Sequence, residues 1–504
     1  MKKIYLFLLL TAAGCSKFDE INTNPDKPVT VTSPMLATRL ILDITRGDLG
    51  QTKSFMQHAL LGKYISWSEN QEANQYNKFG RISYSNLLVL NNVEKMISFA
   101  PDEKSRNTYK ALGNFISAWK FYHLTMQVGD IPYKDALKGE AGVIQPAYNT
   151  QKEVLLGILA SLDEADQLFA NGSDFSGDPV YNGKVAKWRK MVNSFELRVL
   201  LSLYKKTGDA DLQVMKRFQQ IVNNRPLFSG NEDNFQLTYS DVAGQKYPFY
   251  KENNQFIIYN MVSDVLINRL KALQDRRLFY YAAPDPILVK GGAAANTYAA
   301  YKGVDPAATG DQVGAVASSK DYSPLNARYT ELPAGEPVYL MGYAQLQFIL
   351  AEAAMRGWIN SSAEQYYNNG ITAGMKFTAD FTPDNAAYHH GMPITDTYIR
   401  DYIASAAVKF AATPREQLEQ IITQEYLTTF MQAPYNAYFE YRRTGYPAFP
   451  INPASNQNIP ADKMPVRWLY PQRELDYNGD NVTRATTAQY GTDHSNGVMW
   501  ILKD

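Results

Sequence analysis

The 504-residue sequence has a single cysteine, Cys15, so it can form no intramolecular disulfide. It has only five histidines, His58, His123, His389, His390 and His494, and none falls in an H-E-x-x-H arrangement. No phosphate-binding G-x-x-x-x-G-K-[ST] loop, G-x-S-x-G nucleophile elbow or Gly-rich dinucleotide turn is present. Net charge is also lacking: 50 basic residues balance 50 acidic ones. That excludes the bulk positive field that gathers nucleic acid. Beyond the N-terminus no apolar run reaches the ~20 residues that a membrane-spanning helix needs. These absences exclude a zinc helix and the common nucleotide-binding motifs, and they predict no metal, no cofactor and no catalytic residue.

What is present begins at the N-terminus. Lys2 and Lys3 precede the apolar run Ile4 to Leu10, and Ala12, Ala13 and Gly14 lead to Cys15. This layout is that of a secretory signal peptide over residues 1–14. Its small-small-Gly-Cys ending resembles the bacterial lipobox, departing at Ala12 where Leu is commoner. The resemblance implies lipid attachment at Cys15, which also accounts for a cysteine without a partner. Acyl chains contribute ~0.8 kcal/mol per buried methylene, and two or more anchor stably. Residues 15–34, with three prolines among Asn, Asp and Thr, read as a tether, and 35–504 as a single domain.

Helical periodicity dominates that domain. Leu36, Leu40, Ile41 and Ile44 share one face, as do Leu112, Phe115, Ile116, Trp119 and Tyr122. Similar patterns cover 152–169, 185–209, 338–358, 362–377 and 414–431, the last with Pro414 at a first helical position. Trp119, Trp188 and Trp358 fall on apolar stripes and are expected in the core. Ala351, Ala353, Ala354 and Gly357 followed by Tyr366 and Tyr367 suggest tetratricopeptide-like pairing, small residues at a crossing beside bulky rings. Irregular stretches at 280–337, 378–397 and 445–504 predict a loop-rich face, where binding residues concentrate. The fold expected is therefore mostly α, a scaffold of helix pairs with a loop-rich ligand face.

Aromatics are plentiful: 35 Tyr, 23 Phe and 6 Trp. Rings suit the apolar face of a pyranose, and amides suit its hydroxyls. "WSENQEANQYNKFGRISY" combines both, so Trp67, Asn70, Asn74, Tyr76, Phe79 and Tyr84 are the leading candidates for ligand contact. Tyr298, Tyr301 and Tyr322 on the long loop come second. "DYNGDN" starts like a calcium loop but has Asn481 at the glycine position and Thr487 in place of the bidentate Glu, so an Asx-rich turn is expected. "GDIPYKDAL" reads as a helix stop at Gly129 followed by a turn. "YFEYRRTGYPAF" reads as a helix end tied by arginine to loop carbonyls.

The ordered set "FDEINTNPDKP", "GDIPYKDA", "LMGYAQLQFILAEAAMRGW", "YYNNGITAGM", "EYRRTGYP" and "RWLYPQRELDYNGDNV", with the ending at Cys15, resembles SusD/RagB-type outer-membrane lipoproteins of the Bacteroidetes. The resemblance is to the branch with the NTNP start and runs from residue 1 to about 490. It implies a non-catalytic, lipid-anchored protein at the outer membrane, facing the cell exterior. It also implies a TonB-dependent transporter of the SusC type as partner, and oligosaccharides, or in some members peptides, as ligands. A glycan-degrading lipoprotein is the competing class.

Overall fold

The computed structural model describes residues 31–46, 54–68, 73–252 and 260–504. Cys15 and Asn70, with the signal and most of the tether, lie outside the described residues.

The helices form where the periodicity places them, and side chains mark their ends. Asp102 caps the Glu103–Val128 helix by accepting from the Ser105 amide, and Gly129, at φ +88°, ends it. Thr150 and Glu153 form a reciprocal capping box on Gln151–Ala170. Thr413 caps Pro414–Thr428, with proline in its first turn. The first described helix, Ser33–Thr45, starts two residues before the predicted domain start, because Pro34 fits a first helical turn that needs no amide donor.

Successive helices pack as antiparallel neighbours. Glu103–Val128 packs on Gln151–Ala170, which packs on Val185–Ser202; Tyr343–Met355 packs on Ala363–Asp380. Small residues allow the close approach. A Cβ at Gly113 would come within 2.4 Å of the Val93 side chain, and one at Gly370 within 2.6 Å of the Phe348 ring. The core is strongly aromatic. Phe115 meets Trp188, Phe195 and Phe235 edge-on, with centroids 5.5–6.0 Å apart. Trp188 is fully buried and its indole N–H donates to Asp178 at 2.8 Å. Trp119 and Trp358 are buried too, as their stripes predict.

Three short antiparallel strand pairs interrupt the helices among the described residues: Ile65–Trp67 with Asn260–Val262, Ile131–Pro132 with Tyr148–Asn149, and Phe235–Leu237 with Val338–Met341. Two of them correct the sequence reading. Residues 338–341 are a strand, and the helix starts at Tyr343; a short apolar run fits either state until a partner strand pairs with it. Residues 131–132 pair as a strand rather than turning freely. The stretches read as irregular also hold short helices, Gly310–Ser319 among them, closed by a Thr309–Gln312 capping box. Residues 476–481 form the junction of the helices Gln472–Tyr477 and Gly479–Tyr490, where the Asn478 amide donates to the Pro146 carbonyl and to Glu474.

The Asn436–Thr444 helix bears out the arginine reading. Arg442 donates to the carbonyls of Met126 and Val466 at 2.7 and 2.9 Å. Arg443 instead reaches across to the Tyr343–Met355 helix and grips Glu352 through both guanidinium nitrogens, each at 2.6 Å.

Candidate functional site

The rings singled out in the sequence are mostly turned inward. Trp67 is fully buried in its strand, and its amide donates to the Gln75 side chain at 3.1 Å. Tyr76 is buried, and Phe79 is stacked on Trp468 with centroids 4.2 Å apart. Tyr84 is half-buried beside Tyr148. Asn74 is half-buried, and its carbonyl, with that of Gln75 and the side chain of Asn77, faces the buried ammonium of Lys63. Tyr298 packs on Phe279, and Tyr301 is buried with its hydroxyl donating to the Ala295 carbonyl. Tyr322 belongs to a separate small cluster with Met261, Val304 and Val313. The apolar rings are worth more inside than on a wet surface, at roughly 25 cal/mol per Å² of area removed from water.

A cavity of about 360 Å³ opens nearby, and its lining includes none of those residues, though their neighbours Tyr64, Ser83, Asn86 and Leu87 contribute. Its walls come from distant parts of the chain. The end of Ser33–Thr45 supplies Asp43 and Arg46, and Ser54–Leu61 supplies His58. Glu103–Val128 supplies Trp119, Lys120, His123 and Gln127, and Val185–Ser202 supplies Arg198. Tyr239 and Phe249 add rings, and residues 431–437 close one side.

That last segment is conformationally costly. Met431, Ala433 and Tyr435 all have left-handed backbones, at φ +59°, +42° and +66°. A non-glycine residue there costs of order 1 kcal/mol or more, and such residues collect at functional sites. Gln432 holds the segment down. Its side chain accepts from the Tyr339 amide at 2.8 Å and donates to Glu336 and to the Pro337 carbonyl at 2.7 and 3.1 Å. The Tyr435 ring is thereby set edge-on against His58, 4.2 Å between centroids.

The electrostatics follow from partial burial. Burial holds His58 down at about 4, and burial with the nearby Arg198, His58 and Lys120 holds His123 at about 3. Both imidazoles are neutral at pH 7, and His58 Nδ1 and His123 Nε2 are buried without a hydrogen-bond partner among the described residues. Asp43, the one carboxylate of the lining, is taken by Lys120 at 2.5 Å, and Lys120 also donates to the Asn86 carbonyl. Glycoside cleavage needs two carboxyl groups ~5–9.5 Å apart, and this lining does not supply the pair. Among the described residues no cluster of three metal-ligating side chains forms. The arrangement is suited to binding: apolar rings, several amides and a few placed charges around a concave space.

Sequence reasoning missed this cavity because no local stretch contains it. The available signals were single polar residues on apolar helix stripes: His123 in "WKFYHLT" and Arg198 in "FELRVLLSL".

Comparison with known proteins places the chain among relatives. Residues 25–471 match the family SusD-like_2, described as "Starch-binding associating with outer membrane". A SusD homolog from Bacteroides fragilis has the same fold with a TM-score of 0.91 and 44% identity, over 94% of this chain and all of that one. A second SusD homolog from the same species gives a TM-score of 0.83 and 35% identity at the same coverage. SusD-like protein P2 of Formosa agariphila is 24% identical over 280 residues, 49% of this chain; the match spans about half (52%) of that relative's length.

Proposed function

Because the chain belongs to the SusD-like family of outer-membrane-associated, nutrient-binding proteins, we propose that it captures oligosaccharides in the cavity between His58, Trp119, Arg198 and Tyr435 without cleaving them. It passes them to a TonB-dependent transporter of the SusC type. Attachment through a lipid at Cys15, facing the cell exterior, belongs to this reading. The observation that carries it is the cavity: rings and amides converge on one concave space, held by a strained loop that Gln432 clamps. The cost of three left-handed residues is offset by local anchoring, as expected where a binding surface must be preorganised.

Calorimetric titration of the purified protein against glycan and peptide panels tests the ligand class. We expect saturable glycan binding, no new reducing ends after prolonged incubation, and loss of affinity of tenfold or more in Trp119→Ala. Saturable binding of peptides alone would replace the oligosaccharide reading, and turnover of a glycan would end it. Co-purification of a large barrel from detergent-solubilised outer membranes tests the partner.

A further inference from the structure

Arg198 is the feature of the cavity that capture of a neutral sugar does not use. It is 9% exposed. Its guanidinium donates to the Asn436 side-chain oxygen and to no other described residue. No carboxylate among the described residues forms an ion pair with it. Arginine is seldom this buried without such a partner, because an uncompensated buried charge is strongly destabilising. The buried Glu425 accepts from the other end of the Asn436 amide at 2.9 Å. Burial, and after it the neighbouring Glu440, push the Glu425 carboxyl above its ordinary range, against the opposite pull of Arg198 and Arg443. Asn436 therefore bridges Arg198 and Glu425 and fixes the guanidinium at the wall.

The rest of the lining points the same way. Its charged residues are Arg46, Lys120 and Arg198 against Asp43, three cations to one anion, in a chain whose formal charge is zero. Lys120 and Asp43 neutralise each other. Arg46 donates to the Gly244 carbonyl and, like Arg198, has no ion pair among the described residues. A concave wall with two guanidiniums free of ion pairs among the described residues, Arg198 buried and Arg46 exposed, focuses a positive potential.

We propose that the cavity is selective for acidic oligosaccharides, with Arg198 receiving the carboxylate of a uronate residue. The planar fork of arginine matches a carboxylate with two parallel hydrogen bonds, which lysine does not reproduce. The rings beside it take the sugar face, and the neutral His58 and His123 leave the guanidinium as the deep charge. This rests on the capture reading above and adds the ligand's charge to it.

The test uses the folded, full-length mature protein. Oligomers of galacturonate, glucuronate and mannuronate, their methyl esters, and neutral oligomers of starch, cellulose, xylan and chitin are titrated in parallel. We expect the tightest ligand to be a uronate, at least tenfold tighter than its methyl ester, with the ratio collapsing toward one in Arg198→Gln and remaining low in Arg198→Lys. The ester comparison is made on unmodified protein, so it stands even where a variant folds poorly. A neutral oligomer binding as tightly as any uronate would overturn the acidic preference while leaving glycan capture intact. Equal affinity for acid and ester would do the same. Binding of peptide carboxylates with no glycan bound would overturn both.

Discussion

Replacing Glu352 by glutamine probes how the cavity wall is held. Glu352 is 1% exposed and receives both terminal nitrogens of Arg443 at 2.6 Å, plus Nε of Arg356 at 2.7 Å. Burial pushes its pKa up, but the two guanidiniums outweigh that and keep the carboxyl below its ordinary value. Arg443 in turn is buried, with a second partner in Glu440. The pair joins the Tyr343–Met355 helix to Asn436–Thr444, and the latter carries Asn436 into the cavity wall. Glutamine keeps the shape, removes the charge, and turns an N–H₂ toward a guanidinium. Removing one partner of a buried pair costs about 3–5 kcal/mol; Glu440 remains, so the lower end applies, about 3 kcal/mol. Unfolding entropy of ~2.1 cal/mol/K per residue, over roughly 470 residues, gives about 1 kcal/mol/K and hence a Tm lowered by ~3 °C. Urea denaturation followed by circular dichroism should show the same loss as a lower midpoint at unchanged slope. Glu352→Leu combined with Arg443→Met should cost less than Glu352→Gln alone, since both fully enclosed partners are then gone and only Arg356 and Glu440, which are partly open to water, are left to be solvated. A Glu352→Gln protein within ~0.5 kcal/mol of the parent would refute the argument that this pair is held out of water.

Two further outcomes follow from the geometry. The folded His58 and His123 have pKa values of about 4 and about 3, against 6.5 in the open chain. Below pH 6.5 the unfolded state therefore binds protons that the folded state does not. Stability should fall as pH drops from 6.5 toward 4, with His58 contributing up to about 3 kcal/mol before its share levels off near its folded value. His58→Gln should flatten this dependence in urea midpoints measured between pH 6.5 and 4.5, and an unchanged slope would show that the ring is not held neutral. Trp67→Ala should cost about 3–5 kcal/mol of stability, because the side chain is fully enclosed and leaves a cavity. The loss should register in thermal melts, whereas glycan affinity measured well below the melt should stay within threefold.

Helix placement was readable in the sequence because a helix's own side chains decide which face is buried. Leu112, Phe115, Ile116 and Trp119 recur at helical spacing, and all four are buried. Caps such as Asp102 and Thr150 act on amides three residues away, so they too are local. The 338–341 strand was not readable, since its pairing partner at 235–237 lies about a hundred residues away. The amide-rich 67–84 segment was legible as unusual but not in its direction. Composition carries no sign for inward or outward, and the Lys63 ammonium, gathering the oxygens of Asn74, Gln75 and Asn77, belongs to a contact no periodicity encodes.

By itself the sequence determined the helical class, the long amphipathic helices and the ordered motifs that mark the SusD-like family. The tertiary structure alone decided which polar residues share a cavity. Asp43, His58, His123, Arg198 and Tyr435 span nearly four hundred residues and meet only because helices far apart in the chain pack side by side. It also decided that Arg198 meets Asn436 rather than an ion-pair partner among the described residues, and that burial pushes the Glu425 carboxyl upward. Charge state in an interior is set by the desolvation and neighbours that packing imposes, and neither exists until the chain has folded.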